Sequence, residues 1–467
     1  MRASMIDSLG IRGWDRLEPV VVAALTLEAP VLLIGPHGTA KSLLLNRLAG
    51  ALGLRHRHYN ASLLNFDDLV GYPVPSEDRS ELRYIQTPGT IWGAESVFFD
   101  EISRCRVDLA NKLFPIVHER VVQGVALRDL RFRWAAMNPP SLGDADDDAE
   151  GEERYRGSEP LDPALADRFP FVLEVPHLSD LGAEDRRAVI SGRCEEPQPR
   201  AAARLREAIA LVRRCLLVVR SELSDAACEY VETLLPLLER MRRGVSARRA
   251  RFLHDNILAV HAARVALAPR ADPGDSASLA LRSGLPHAAT GRALDAAKLL
   301  GAHKQAWALV RLPALDPRRV VLSEPDSVRR VALGLRFELD ALELSSFVLD
   351  AYAELPPWKR VVFAAALYPA VSERVDLTAA AFEPIAEVQA QLENSVRRKH
   401  SLTPGSPRFE LWKSVVRARA ALGKESRAEK TLHNLLLVIF ERDEGPFDPG
   451  AVALWFGELV TLFGWES

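Results

Sequence analysis

Residues 31–42 read Val-Leu-Leu-Ile-Gly-Pro-His-Gly-Thr-Ala-Lys-Ser, and the fold depends on how this stretch is parsed. Val31 to Ile34 is a short apolar run closed by a glycine, the pattern of a buried strand. Gly35 to Ala40 forms a tight loop. Lys41-Ser42 then opens a run with Leu43, Leu44, Leu45 and Leu48, which fits a helix. Strand, glycine loop and helix make an anion cradle, because loop N–H groups and the helix dipole face the same charge. There Gly35, Pro36, His37, Gly38, Thr39 and Ala40 would wrap phosphates, Lys41 would reach the β- and γ-phosphates, and the Ser42 hydroxyl would hold Mg²⁺. Ala40 occupies the second glycine position of the strict pattern. It costs little provided that its φ is negative, since Gly38 still frees the loop. The plainer reading is a glycine turn before a surface helix, and the flanking strand and helix favour the nucleotide.

The second half of the chemistry is Ser96-Val97-Phe98-Phe99-Asp100-Glu101, an apolar strand ending in two acids. A strand-end Asp can hold the Mg²⁺ water shell while its Glu neighbour polarises an attacking water. A surface Asp-Glu turn is equally good for this segment alone, and the phosphate cradle upstream decides for catalysis, both lying at the C-terminal edge of one sheet. Trp134 to Asn138 is a further buried strand. Asn138 at its end could orient the lytic water, although taken alone it reads more simply as a turn before Pro139-Pro140.

The 467 residues allow two or three domains. A formal net charge of −3 offers no electrostatic case for nucleic acid or a membrane surface. Cys105, Cys194, Cys215 and Cys228 lack metal spacing, which fits a reducing cytoplasm. The first residues have no apolar signal core, and no apolar run reaches the length of a membrane span.

In chain order, residues 1–27 read as a lead-in helix, 59–62 as a second strand, and 66–71 as a helical turn. Residues 72–90 read as an insertion or hairpin, 107–119 as a helix, and 120–133 as a hairpin turning at Gly124 or Asp129. Residues 141–160 are acidic and read as a solvated loop, without the frame of an EF-hand. Residues 161–169 read as a short helix presenting Arg168, and 171–175 as a closing strand. The alternation so far argues a parallel sheet covered on both faces. Helices follow at 178–192, 200–220, 224–243 (capped by Ser224) and 246–268 (opened by Ser246). Arg248 falls in the first turn of the last one, where the dipole disfavours it. It is as readily a surface arginine as a phosphate contact. Residues 269–291 read as a linker. Residues 292–467 read as mostly helical, with a possible strand at 320–322 and no catalytic constellation.

Taken together, GPHGTAKS, FFDEISR, AMNPP, LDPALADRF and GVSARR resemble the AAA+ ATPases, and more closely the MoxR family and its RavA-like branch, over residues 1–268. In that family an alanine before the lysine is common. The resemblance implies a P-loop NTPase core of α/β type at 1–175, an α-helical lid with sensor 2 at 176–270, and a mostly helical partner- or client-binding domain at 292–467. It assigns Gly35–Ser42 as Walker A, Asp100 and Glu101 as Walker B, Asn138 as sensor 1, Arg168 as an arginine finger serving the next subunit, and Arg248 as sensor 2. It also implies ATP with Mg²⁺, a homo-oligomeric and commonly hexameric ring, and a von Willebrand factor A domain partner that the ring remodels, activates or chaperones. The 292–467 region lacks the small β-barrel of RavA-like proteins, so a shared partner does not follow. Two other functions compete: a nucleic-acid motor of a defence system, using basic faces such as Arg242-Arg243 with Arg248-Arg249-Arg251, and a nucleotide-gated scaffold with little turnover.

Overall fold

The computed structural model describes residues 4–465 except 79–81, 141–157, 193–195, 243, 269, 293, 314, 317, 373–376, 394–401, 424–425 and 444. Most of the acidic 141–160 segment therefore lies outside the described residues. The chain divides into two units, Met1–Asp295 and Ala296–Ser467.

Among the described residues the first unit is organised by nine strands: β1 (Val31–Ile34), β2 (His56–Asn60), β3 (Tyr72–Pro75), β4 (Leu82–Ile85), β5 (Ser96–Asp100), β6 (Val121–Val122), β7 (Val125–Ala126), β8 (Phe132–Met137) and β9 (Phe171–Glu174). Five of them form one parallel sheet in the order β2-β5-β8-β1-β9. Val31 to Ile34 and Phe132 to Met137 are buried at every position, as expected for strands covered on both faces. This is the AAA+ α/β fold. The register sets Ile34 beside Met137 and Phe99 beside Ala135, so the residues that leave β1, β5 and β8 emerge at one sheet edge. The strands β3 and β4 make the antiparallel hairpin expected in 72–90, and β6 and β7 make a second one around Gly124. Residues 132–133, read from sequence as part of that hairpin, instead begin β8 of the central sheet. The second strand spans 56–60 rather than 59–62, because the polar His-Arg-His run carries no apolar signature.

Helices complete the unit. Glu18–Leu27 is nearly all apolar and buried, and it packs against the helices Ala201–Arg240 and Ala247–Leu267. The sequence divides 200–243 into two helices at Ser224, but Ala201–Arg240 is one helix of 40 residues, about 60 Å long. Ser224 does not cap it: its hydroxyl lies 3.2 Å from His254 Nε2, and Ser221 bonds back to the Val218 carbonyl. The expected linker 269–291 contains the helix Pro273–Ser283. Asp272 caps it, Ala277, Ala280 and Leu281 are buried, and it packs on Ala247–Leu267.

The described secondary-structure elements of the second unit are all helices, from Ala296–Arg311 to Pro449–Leu462. The expected strand at 320–322 lies inside the helix Arg318–Ser323, and 326–353 splits into Ser327–Arg336 and Ala341–Glu354, the latter capped by Asp340. Its centre is Pro357–Ser372, where every residue from Val361 to Leu367 is buried. Trp465 donates its indole N–H to the Ala366 carbonyl at 2.7 Å, so this tryptophan closes the core.

Candidate active site

The cradle begins with a close approach. Gly35 N–H donates to the Met137 carbonyl at 3.2 Å, and a Cβ at Gly35 would lie 2.3 Å from Val175 Cγ2, so no side chain fits there. Gly38 has φ +75 with open space around a would-be Cβ, so glycine is required by conformation. Ala40 has φ 63 and ψ 20, contrary to the negative φ expected. Alanine is held left-handed at a cost of about 1 kcal/mol, immediately before the helix Lys41–Leu52.

Lys41 is only 8% exposed. Its ammonium donates to the carbonyls of Gly35 at 2.6 Å and Pro36 at 2.7 Å, and to Asn138 Oδ1 at 3.2 Å. Burial, against the opposing pull of Asp100 and Glu101, lowers its pKa to about 8. Ser42 donates its hydroxyl to Asp100 Oδ2 at 2.6 Å. Burial acts to raise the Asp100 carboxyl. Hydrogen bonds from His58, Ser42 and the Glu101 N–H outweigh it and hold the pKa below the ordinary value. Glu101 sits at φ 55, a turn that lets two consecutive acids serve one edge, and its carboxylate pairs with Arg104 Nε at 3.0 Å. Thus Lys41 bonds to Asn138 and Ser42 to Asp100, two pairs brought together because Lys41 and Ser42 are consecutive, with Glu101 following Asp100 in the chain.

The donor set fits Mg²⁺. The Ser42 hydroxyl and Asp100 carboxylate offer hard oxygens side by side, and the described residues hold no cluster of three or more His, Cys, Asp or Glu. A cation held by so few protein oxygens keeps several waters, which suits Mg²⁺ and a phosphate ligand. Beside the loop lies a cavity of about 550 Å³ lined by His37 to Ala40 and Leu43, by Ile11 and Trp14, and by Pro176 to Leu178. Its apolar walls next to a phosphate cradle are the size and chemistry of a nucleoside pocket. Sequence reasoning misses this wall, because residues 10–14 and 176–192 carry no motif.

Arg168 and Arg248 lie in a second group. Arg168 donates from Nη1 to the Ala164 carbonyl at 2.7 Å and stacks over Phe114 at 4.7 Å, and its Nε has no hydrogen-bond partner among the described residues. Arg248 pairs with Asp167 Oδ2 at 3.4 Å. Their described contacts place both arginines around residues 164–167 and none of those contacts reaches Lys41 or Asp100.

Arg249, its neighbour, has no motif to single it out. It is 1% exposed and donates to Asp167 Oδ1 and to the carbonyls of Ala166, Phe169, Pro170 and Gly284. It therefore fastens the helix Ala247–Leu267 to the segment that carries Arg168. Arg249→Ala would leave Asp167 with less charge compensation and several buried carbonyls without donors. Unfolding of the first unit in denaturant should lose about 3–5 kcal/mol, and a loss below about 1 kcal/mol would contradict this clamp.

Residues 30–169 match the AAA domain, dynein-related subfamily. This span is thus a nucleotide-binding ATPase module. A crystal structure of a provisionally assigned ATPase from Cytophaga hutchinsonii is similar at 20% identity, over 60% of this chain and 83% of that one, with a TM-score of 0.41. No curated protein matches the chain.

Proposed function

We propose that this chain, built on an AAA domain, is a MoxR-type AAA+ ATPase. It hydrolyses Mg²⁺-bound ATP in a homo-oligomeric, hexameric ring in the cytoplasm and uses the cycle to remodel, activate or chaperone a protein with a von Willebrand factor A domain. The observation that supports it most is that the segment after β1 brings Lys41 to Asn138 at the end of β8 and Ser42 to Asp100 at the end of β5. Residues 1–175 would be the core and 176–270 the lid, with 292–467 engaging the partner.

In this reading Lys41 exchanges its carbonyl partners for β- and γ-phosphate oxygens. Asn138, once released by Lys41, holds the attacking water, and the Glu101 carboxylate takes the water's proton. Arg168 donates to the γ-phosphate oxygens held by a neighbouring copy. Arg248 reports that same phosphate to the lid. When bound through Ser42 and Asp100, Mg²⁺ would supply charge neutralisation at the phosphates.

The low Lys41 pKa gives this scheme a signature. Between about 8 and the ordinary 10.5 the unfolded chain holds a proton that folded Lys41 has released, so stability gains as pH rises through that window. A triphosphate restores the charged form. ATP binding should therefore take up a proton, increasingly so from pH 7 to pH 9, in calorimetry with buffers of different ionisation enthalpy. Lys41→Arg should abolish the uptake; uptake that persists in it, or none in the wild type, contradicts the assignment.

The function itself is tested by trapping. Glu101→Gln held with ATP should retain a partner with a von Willebrand factor A domain on the ring. Tight, salt-dependent DNA binding that stimulates hydrolysis would overturn the proposal in favour of a nucleic-acid motor.

A further inference from the structure

The carboxylate proposed to hold the metal has a histidine beside it. His58 Nε2 lies 3.4 Å from Asp100 Oδ2, the oxygen that also accepts from Ser42. His58 Nδ1 lies 3.4 Å from Asn46 Nδ2, and Asn46 Oδ1 lies 3.1 Å from His56 Nε2. His56 Nδ1 in turn lies 2.8 Å from Ser96 Oγ. Ser96, His56, Asn46, His58 and Asp100 thus form one chain of side chains, linking β2, β5 and the helix Lys41–Leu52.

The direction of this chain is fixed at its end. A carboxylate only accepts, so His58 Nε2 must carry the proton that faces Asp100. Asn46 presents its amide nitrogen, a donor only, to Nδ1 at 3.4 Å, so Nδ1 accepts from the Asn46 N–H. That orientation turns Asn46 Oδ1 toward His56, which must donate from Nε2 and accept the Ser96 hydroxyl at Nδ1. No donor faces a donor at any step. Burial lowers the His56 pKa to about 4, which keeps the inner ring neutral. Phe98 lies against the His58 ring at 4.4 Å between centroids and limits its rotation.

We propose that His58 is a positioning residue for the metal-holding carboxylate: it donates to Asp100 Oδ2 from a ring whose tautomer is set by Asn46, His56 and Ser96. With Oδ2 facing His58 and Ser42 and Oδ1 accepting the Glu101 N–H, the carboxylate is kept in one orientation beside Ser42. Partners that orient a ligating carboxylate commonly govern metal affinity without touching the metal. The inference rests on the ATPase reading above.

The test uses the full chain, Mn²⁺ as a spin probe and a non-hydrolysable ATP analogue. In wild type, ¹⁵N spectra should show both His56 and His58 protonated at Nε2. His58→Phe should weaken Mn²⁺ binding to the nucleotide complex about 10–100-fold, with affinity for the metal-free analogue unchanged. His58→Gln, which can still donate an N–H, should recover most of the loss. Wild-type Mn²⁺ affinity in His58→Phe, no recovery in His58→Gln, or a His58 ring protonated only at Nδ1 overturns the inference while leaving the ATPase reading intact. Failure of the wild type to bind Mn²⁺ with the analogue overturns that reading, and this inference with it.

Discussion

Glu101→Gln is expected to bind ATP as the wild type does and to hydrolyse it about 10²–10⁴-fold more slowly. The substitution keeps the size and shape of the side chain and removes its ability to accept a proton. Little else should change. Glu101 is held in the turn by its own φ of 55 and by its N–H bond to Asp100 Oδ1 at 3.0 Å, and neither depends on the carboxylate. Only the ion pair with Arg104 at 3.0 Å is weakened, and it joins two groups each about a third exposed, so its energetic weight is small. Single-turnover phosphate release separates the chemical step from binding. A Glu101→Gln variant that turns over at the wild-type rate would remove Glu101 from the chemistry and leave the nucleotide-gated scaffold as the better reading.

Arg168→Ala should cost about 10³–10⁵-fold in turnover, the range measured where an arginine stabilises phosphoryl transfer from outside the site. Arg168 is anchored by one carbonyl and by the Phe114 face, while its Nε has no hydrogen-bond partner among the described residues. A guanidinium held so lightly can turn toward a phosphate of a neighbouring copy at small cost. The trans role has its own readout. Arg168→Ala and Glu101→Gln, each inactive alone, should regain a measurable share of turnover when mixed, because some interfaces then pair an intact Glu101 with an intact Arg168. No recovery on mixing, with mixed rings shown to form, would mean that Arg168 acts within its own subunit or not at all.

The sheet is legible wherever an apolar run ends in a residue of distinct chemistry, as in Val31–Ile34 before Gly35, Ser96–Phe99 before Asp100, and Trp134–Met137 before Asn138. Burial on both faces writes such strands as unbroken hydrophobic runs. The edge strand β2 lacks that signature, with its His-Arg-His start, and so the sequence hides His58 beside Asp100. The two arginines at 248 and 249 cannot be told apart by composition. Helix phase alone turns Arg249 into the protein and leaves Arg248 at the surface beside Asp167. Ser224 resembles a cap because serine competes for backbone bonds in isolation. Packing against His254 gives its hydroxyl another partner, and the helix runs on. The φ of Ala40 is not readable from sequence either, since only the closed loop shows that a left-handed residue is needed.

Equilibrium binding of a fluorescent ATP analogue to the wild type and to Lys41→Ala, with and without Mg²⁺, would decide whether Lys41, Ser42 and Asp100 make a triphosphate site. Loss of a charged donor to phosphate should remove about 2–3 kcal/mol, or roughly 100-fold in affinity, and Mg²⁺ should tighten binding to the wild type. Equal affinity in the two proteins, or no binding by the wild type, would contradict the assignment of Lys41, Ser42 and Asp100.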